Sequence, residues 1–251
     1  MEWREDGGVR WLRAELDGAA AAFSTRLGGV SEAPFDRLNL GLLTDDSGEN
    51  VIENRRRLAA ALGFEPDQVV FARQIHGTDL VEHSSENVST LLVAIGAKRV
   101  ETMIEGDGHV VREPGVAPLV FVADCLPVAL AGPRGVAMLH AGWRGLAGGI
   151  LAAGAEAVGA TSAAIGPGIG PCCYEVGEEV LEAFSGLGEG IASGRMLDLA
   201  EVARRQLAGA GVERVESAGL CTSCEEELFF SHRRDQGRTG RQAGIAWIEA
   251  A

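Results

Sequence analysis

Long apolar runs are missing from this sequence of 251 residues. No stretch approaches the roughly 20 consecutive apolar residues that a membrane-spanning helix needs. The first sixteen residues, MEWREDGGVRWLRAEL, are rich in charge and lack the apolar core of a secretory signal peptide. We therefore expect a cytoplasmic protein that does not enter a membrane.

Basic residues are scarce. The chain has 22 Lys and Arg residues against 36 Asp and Glu residues, which gives a formal net charge of -14. Nucleic acids and anionic membranes are bound through Lys and Arg, so this balance argues against both as partners. The single lysine, Lys98, makes a Schiff-base mechanism improbable. Composition says nothing about the oligomeric state.

Cysteine occurs only five times, and an odd count in a cytoplasmic chain does not suggest a disulfide framework. Metal binding or thiol chemistry is therefore the relevant question. Cys172 and Cys173 are interpreted as structural, because adjacent thiols rarely bind one ion easily. Cys221 and Cys224 form a lone CxxC, which without a second CxxC is only a weak zinc signal.

Short apolar segments alternate irregularly with helical patterns, which predicts an α+β fold with a mixed β-sheet core flanked by helices. The predicted strands cover residues 69–73, 118–124, 127–132 and 135–142. The last three are joined by tight connections, which favours neighbouring antiparallel strands over βαβ units. The predicted helices cover residues 48–63, 144–158 and 198–211. One domain is expected over residues 1–251.

Three potential metal ligands share one local setting, the end of a predicted strand followed by a turn. They are His76, Cys125 and His140. Strand ends at one edge of a sheet converge, and two imidazoles with a thiolate suit zinc or copper. Asp124 is then a candidate base or a residue that orients a ligand. The alternative is that Cys125 packs as a small apolar residue and each histidine is structural.

Two groups of residues could bind an anion. Arg26 lies in the glycine-rich stretch FSTRLGGVS and could grip a phosphate, or it could cap a surface loop. The arginines of residues 233–241 could bind an anion or pair with Glu225 to Glu227. The stretch IGPGIGPCCYEVG is not a Walker loop, but its tyrosine, Tyr174, is predicted to line a pocket.

These segments, in this order, resemble the multicopper polyphenol oxidase or laccase-domain family, also called the YfiH family. The resemblance covers residues 23–244. The matching stretches are FSTRLGGVS, LNLG, RQIHGTDLV, GDGHVV, VADCLPVAL, LHAGWRG, IGPGIGPCCYEVG, LDL and FFSHRRDQGRTGRQAG. Peptidoglycan editing factors and multi-activity purine nucleoside phosphorylases belong to this family. The loop at residues 84–103 departs from the family pattern.

The resemblance implies a YfiH-like fold in which His76, Cys125 and His140 bind zinc, with copper as the alternative metal. It implies phosphorolysis of adenosine, inosine and methylthioadenosine, deamination of adenosine, and a purine nucleoside and phosphate as small-molecule partners. The residues that we assign to catalysis are Asp124, Cys125 and Arg26. The residues that we assign to substrate binding are Arg26, Asn39, Arg144 and Tyr174.

Three other functions stay open from the sequence. One is an amidase that removes a wrong amino acid, such as serine, from a peptidoglycan precursor. Another is a copper-dependent polyphenol oxidase, although five histidines are few for a multicopper centre. The last is a metal-binding module without catalysis. Only the enzymes require a metal position that is open to exchangeable water.

Overall fold

The computed structural model describes residues 1–84 and 104–249. In these residues the chain forms two six-stranded sheets and one two-stranded ribbon. The first sheet contains β1 (Glu2–Asp6), β2 (Val9–Leu16), β3 (Ala19–Ser24), β4 (Val69–Val70), β7 (Ala117–Val122) and β14 (Gln242–Ile248). The second contains β5 (Leu80–His83), β6 (Gly108–Val111), β8 (Leu126–Gly132), β9 (Gly135–Ala141), β10 (Ser162–Ile165) and β13 (Arg214–Ser217). The ribbon pairs β11 (Ala192–Ser193) with β12 (Met196–Leu197).

Five α-helices accompany these strands in the described part of the chain. They are α1 (Gly48–Ala61), α2 (Trp143–Gly148), α3 (Ile150–Val158), α4 (Glu178–Ala183) and α5 (Leu199–Gly209). Helices α2 and α3 replace the single helix predicted over residues 144–158, because Gly149 between them has a φ of 90°. Helix α5 begins as predicted, since the Asp198 side chain accepts a hydrogen bond from the Glu201 N–H. No helix within the described ranges is long and apolar enough to cross a membrane.

Both sheets are mixed. The first has the order β1-β2-β3-β14-β7-β4 and the second the order β13-β10-β8-β9-β6-β5. Strands β4 and β7, β5 and β6, and β10 and β13 pair in parallel, and the other neighbours pair antiparallel. The predicted α+β fold with a mixed sheet core and flanking helices is therefore confirmed, with two stacked sheets as the core.

The two sheets enclose one hydrophobic layer and each has a second layer on its outer face. Phe23 of the first sheet and Met138 of the second are buried in the layer between them. Leu58 of α1 packs on the outer face of the first sheet. Ile150 and Val202, from α3 and α5, pack on the outer face of the second. The order of layers is thus helix, sheet, sheet, helices. Because both sheets share the middle layer, we propose that the chain forms one domain.

Strands β7, β8 and β9 were predicted to be antiparallel neighbours, and only one of the two predicted pairs forms. Strands β8 and β9 are antiparallel neighbours, with Pro127 opposite His140 in the register. Strand β7, however, pairs with β14 and β4 in the other sheet. Asp124, in the connection after β7, has a φ of 97°, and there the chain passes from one sheet to the other. Apolar patterning marks a buried strand but not the sheet that it joins. Most of the atypical loop 84–103, with Lys98, lies outside the described residues.

We expect a buried pair of histidines in the second sheet to make folding sensitive to acid. His109 of β6 is fully buried, and its Nδ1 lies 3.1 Å from Nε2 of His83 on β5. Burial lowers the pKa of His109 from 6.5 to about 3, and the pKa of His83 to about 4. Below about pH 6.5 the unfolded chain therefore binds protons that the folded chain excludes, so folding becomes less favourable as the pH falls.

We expect the free energy of unfolding to fall between pH 6.5 and pH 4, with each histidine contributing up to about 1.4 kcal/mol per pH unit. The variant His109→Leu removes one titrating group, so its unfolding should depend less on pH over this window. Urea denaturation at several pH values measures the difference. Equal losses of stability in the parent and in His109→Leu would show that the pair does not control acid unfolding.

Candidate metal centre and cavity

His76, Cys125 and His140 come together although 64 residues separate the first from the last. Their ligand atoms, one ring nitrogen from each histidine and the Cys125 sulfur, all lie within 4.8 Å of one another. The two imidazole rings meet edge to face, with centroids 4.8 Å apart. His140 is buried, Cys125 is half-buried and His76 is exposed. The group can therefore hold a metal ion that is open on the side of His76.

The three ligands do not share one sheet edge as the sequence led us to expect. His140 is the penultimate residue of β9 in the second sheet. Cys125 lies in the connection between β7 and β8, where the chain passes between the sheets. His76 lies in the loop between β4 and β5, in the left-handed region with a φ of 61°. The metal centre is therefore built between the two sheets.

A buried carboxylate, Asp107, holds the two histidines in place. Its Oδ1 lies 2.7 Å from Nδ1 of His140. The same carboxylate accepts backbone N–H bonds of 2.8 to 3.0 Å from Ile75, His76 and Gly77. A carboxylate partner fixes the proton on Nδ1 of His140 and leaves Nε2 free to coordinate a metal. Asp107 also fixes the strained turn that carries His76.

Asp124 holds the turn that carries Cys125. Its Oδ1 accepts a hydrogen bond of 2.7 Å from the Thr222 hydroxyl, and its Oδ2 accepts one of 2.7 Å from the Arg233 backbone N–H. With both oxygens occupied in this way, the Asp124 carboxylate is suited to holding the left-handed backbone at this position. Of the two expected roles, base and orienting residue, the contacts favour the second.

The charges of the three ligands support a thiolate donor. Burial raises the pKa of the Cys125 thiol, but the neighbouring His140 and His76 outweigh burial, and the net shift is downward. Burial lowers the pKa of His140, but Cys125 and Asp107 raise it by more. Cys125 is therefore readily ionised, as metal coordination requires.

Gly142 leaves room for such an ion. A Cβ at this position would lie 2.9 Å from the Cys125 sulfur and 3.5 Å from Cδ2 of His76. Only a residue without a side chain fits beside these ligands without displacing them. The donor set, the free Nε2 of His140 and this space all fit a divalent metal.

The ligands open into a cavity of about 520 Å³. Among the described residues, five arginines line it, against one carboxylate, that of Asp124. The arginines are Arg55, Arg73, Arg144, Arg233 and Arg241. Aromatic side chains form much of the remaining wall, namely Phe71, Phe121, Trp143 and Tyr174. Arg73 is paired with Glu105 at 2.7 Å, and the other four arginines concentrate positive charge at one place in a chain with a net charge of -14.

The structure brings Arg144 and Tyr174 to the cavity wall, where we expected substrate-binding residues. Arg26 is not among the residues that line it. The Arg26 guanidinium donates to the backbone oxygens of Asp36 and Glu226 and stacks on the Phe230 ring at 4.5 Å. These contacts hold the Arg26 guanidinium in a neighbouring loop, and its assignment to catalysis and phosphate binding stays a prediction.

Asn39 is also absent from the cavity wall. It is fully buried, and its amide nitrogen donates to Thr44 and Asp46. Its oxygen accepts hydrogen bonds from the backbone N–H groups of Gly41 and Arg241. The Asn39 amide thus fixes a loop that borders the cavity, and its expected contact with substrate stays a prediction.

The arginines near the C-terminus divide between two roles. Arg233 and Arg241 line the cavity. Arg234 pairs with Asp235 at 2.8 Å and donates to the backbone oxygens of Thr222 and Phe229. Within residues 221–241, all of which are described, no salt bridge joins these arginines to Glu225, Glu226 or Glu227. Arg233 and Arg241 therefore do not pair with these glutamates; they lie at the cavity while donating to the backbone oxygens of Glu175, Thr239 and Gly240.

Sequence reasoning missed two residues of this site. Asp107 was visible only as the acidic residue of GDGHVV, and no spacing connects it to His76 or His140. Arg55 lies on α1, where the helical pattern concealed it. It is 2% exposed, donates from Nε to the Leu40 backbone oxygen, and lies 4.8 Å from the Phe121 ring. Burial lowers its pKa to about 9. The signal available in the sequence was a charged residue on the apolar face of an amphipathic helix.

The sequence matches one family model and several known proteins. The family model described as multi-copper polyphenol oxidoreductase laccase matches residues 20–249. Purine nucleoside phosphorylase YlmD of Geobacillus stearothermophilus is 39% identical, over 92% of each chain. Purine nucleoside phosphorylase YfiH of Escherichia coli is 40% identical, over 92% of this chain and 94% of the relative.

Solved structures show the same fold. A protein of Bacillus licheniformis named YfiH superposes with a TM-score of 0.86 at 33% identity, covering 98% of this chain and 99% of that one. YlmD of Geobacillus stearothermophilus gives a TM-score of 0.86 at 36% identity, covering 99% of both. The match of a family model over most of the chain, together with these relatives, shows that the chain belongs to the YfiH family of laccase-like domains.

Proposed function

We propose that this chain is a zinc-dependent purine nucleoside phosphorylase that cleaves adenosine, inosine and methylthioadenosine. The observation that carries the proposal is the cavity wall, where five arginines and four aromatic rings surround the three metal ligands. Phosphorolysis brings together a flat, apolar purine and a phosphate anion. Aromatic faces stack on purines, and arginine binds phosphate. The names of the relatives from Geobacillus stearothermophilus and Escherichia coli support the same reaction.

Arg144 is the strongest candidate for the phosphate contact. Its guanidinium lies 4.4 Å from the Trp143 ring, and the described residues offer it no hydrogen-bond acceptor or ion-pair partner. Arg233 lies 5.2 Å from the Tyr174 ring and donates to the Glu175 backbone oxygen. The free donors of Arg144 therefore suit an anion that arrives with the substrate.

The reaction needs the phosphate beside C1′ of the ribose. A phosphate oxygen forms a bond to C1′ while the bond from C1′ to the purine nitrogen breaks, and the bonding pair leaves with the base. Arginine orients the attacking anion and reduces its repulsion from other charges. His76, Cys125 and His140 would hold the zinc ion, which supplies Lewis acidity to the cavity. Deamination of adenosine is proposed as a second activity of the same site: the oxygen of water forms a bond to C6 of the purine, the bond from C6 to the amino nitrogen breaks, and ammonia leaves. The exposure of His76 supports it, since water can reach the ligands.

The test uses purified protein, adenosine and chromatography of the products, with and without phosphate. We expect free adenine and ribose 1-phosphate only when phosphate is present, and inosine in either case. Free base at equal rates without phosphate would contradict phosphorolysis. A serine-containing muropeptide precursor and a phenol, assayed in parallel, test the amidase and oxidase alternatives, and metal analysis separates zinc from copper.

Replacing Arg144 with glutamine should raise the KM for phosphate by about 10- to 100-fold, because a charge-assisted hydrogen bond contributes about 1.5–3 kcal/mol. The matched control is Arg238→Gln, since Arg238 is exposed and outside the cavity wall. Initial rates at increasing phosphate concentration measure the effect. An unchanged KM in Arg144→Gln would assign phosphate binding to another residue.

A further inference from the structure

Four cysteines that the proposed reaction does not use meet at a second place in the fold. The sulfurs of Cys172, Cys173, Cys221 and Cys224 all lie within 4.8 Å of one another. We propose that this four-cysteine cluster binds a zinc ion that joins two loops at the wall of the cavity. The proposal does not depend on the reaction that the cavity catalyses.

The distances between the sulfurs suit a metal better than a disulfide. The Cys224 sulfur lies 3.4 Å from that of Cys172 and 3.5 Å from that of Cys173. A disulfide requires about 2.05 Å. Tetrahedral zinc with bonds of about 2.3 Å to sulfur holds its ligands about 3.8 Å apart. The four thiols thus need only small movements to surround one ion.

The backbone around Cys221 supports a thiolate. The Gly170 N–H donates to the Cys221 sulfur at 3.2 Å. Such N–H donors disperse the negative charge of a sulfur ligand and orient it. A Cβ at Gly170 would lie 3.1 Å from Cβ of Cys221, so the glycine permits the close approach of the two loops.

The number of ligands distinguishes the two metal sites. The cavity offers two histidines and one cysteine, and three protein ligands are typical of catalytic zinc with an open position. The cluster offers four thiols, and four protein ligands are typical of structural zinc. From the sequence, Cys172 and Cys173 were interpreted as a poor pair of ligands. The fold adds two further thiols, Cys221 and Cys224, from a segment about 50 residues away in the chain.

The four-cysteine cluster lies next to the residues that form the cavity wall. Tyr174, which lines the cavity, follows Cys173, and the Tyr174 N–H donates to the Gly170 oxygen. On the other loop Thr222 lies between the cysteines of the CxxC and donates to the Asp124 carboxylate. A zinc ion here would tie these two loops together and fix the wall formed by Tyr174.

The test measures zinc by elemental analysis in protein purified without chelator. Cys172 and Cys224 are exposed, so Cys172→Ser/Cys224→Ser removes two ligands with little effect on the core. We expect the parent and the matched control Ser223→Ala to bind two zinc ions per chain. The double variant should bind one, at the cavity, and His140→Ala should bind one, at the cluster.

Cobalt substitution provides a second readout that does not require activity. Absorption from several thiolates bound to cobalt should persist in His140→Ala and disappear in Cys172→Ser/Cys224→Ser. Equal zinc contents in the parent and the double variant would overturn the proposal. So would intact mass spectrometry that finds the cysteines of the freshly purified, non-reduced parent joined in disulfides. Neither result bears on phosphorolysis, which the product assay tests separately.

Discussion

Replacing His140 with alanine is expected to lower the turnover of adenosine by at least about 1,000-fold, which corresponds to about 4 kcal/mol of lost transition-state stabilisation. His140 is buried, and its Nε2 is the ring nitrogen left free by Asp107. Without it, His76 and Cys125 alone would have to hold the ion, so the metal at the cavity should be lost together with the activity. Steady-state kinetics and elemental analysis of the same preparation measure both effects.

His232→Ala is the matched control for metal content. His232 is exposed and lines the same cavity, but it does not belong to the group of metal ligands. This variant should keep the zinc of the parent, whether or not its kinetics change. If His140→Ala retained the zinc and the turnover of the parent, the metal centre would not be the site of the reaction.

Replacing Asp107 with asparagine is expected to weaken zinc binding by about 10- to 100-fold, the usual effect of losing a partner that orients a metal ligand. The Asp107 carboxylate accepts four hydrogen bonds, from His140 and from three successive backbone N–H groups. An amide has one oxygen and an NH₂ group that cannot accept. At least one buried donor would lose its partner, which should reduce the free energy of unfolding by about 1–3 kcal/mol.

Competition with a chelator measures the zinc affinity of Asp107→Asn, and urea denaturation measures its stability. The matched control is Asp79→Asn, because Asp79 is exposed and contacts the same loop through its backbone oxygen. Asp107 positions the metal ligands and does not bind the metal itself. Excess zinc should therefore offset the weaker affinity and restore some activity to Asp107→Asn, but none to His140→Ala. Unchanged zinc affinity in a folded Asp107→Asn would remove Asp107 from this role.

Residues adjacent in sequence were the easiest to predict. The Asp198 cap of α5, the antiparallel pair β8 and β9 and the burial of α1 at Leu58 follow from local patterns. The candidate metal ligands His76, Cys125 and His140 were also predicted, from imidazole and thiolate at the ends of apolar segments together with the resemblance to the family. Their positions between two sheets were not accessible, because the strained residue Asp124 redirects the chain at that point.

Contacts that depend on a distant partner could not be predicted from the sequence. Arg26 and Asn39 stand in conspicuous motifs, yet their polar groups are occupied by loop contacts away from the cavity. Asp107 stands in an unremarkable segment, yet it holds His76 and His140. A motif shows that a residue type is needed, and only the neighbours show whether its hydrogen-bonding groups are free for a ligand.

The sequence by itself determined the α+β class and the acidic character of the chain, because these follow from composition and local periodicity. The tertiary structure decided which charges and thiols become neighbours. It gathers five arginines on one cavity wall of an acidic protein and brings Cys172 and Cys173 to Cys221 and Cys224. These contacts join segments that are far apart in the chain, so they exist only once the two sheets have packed.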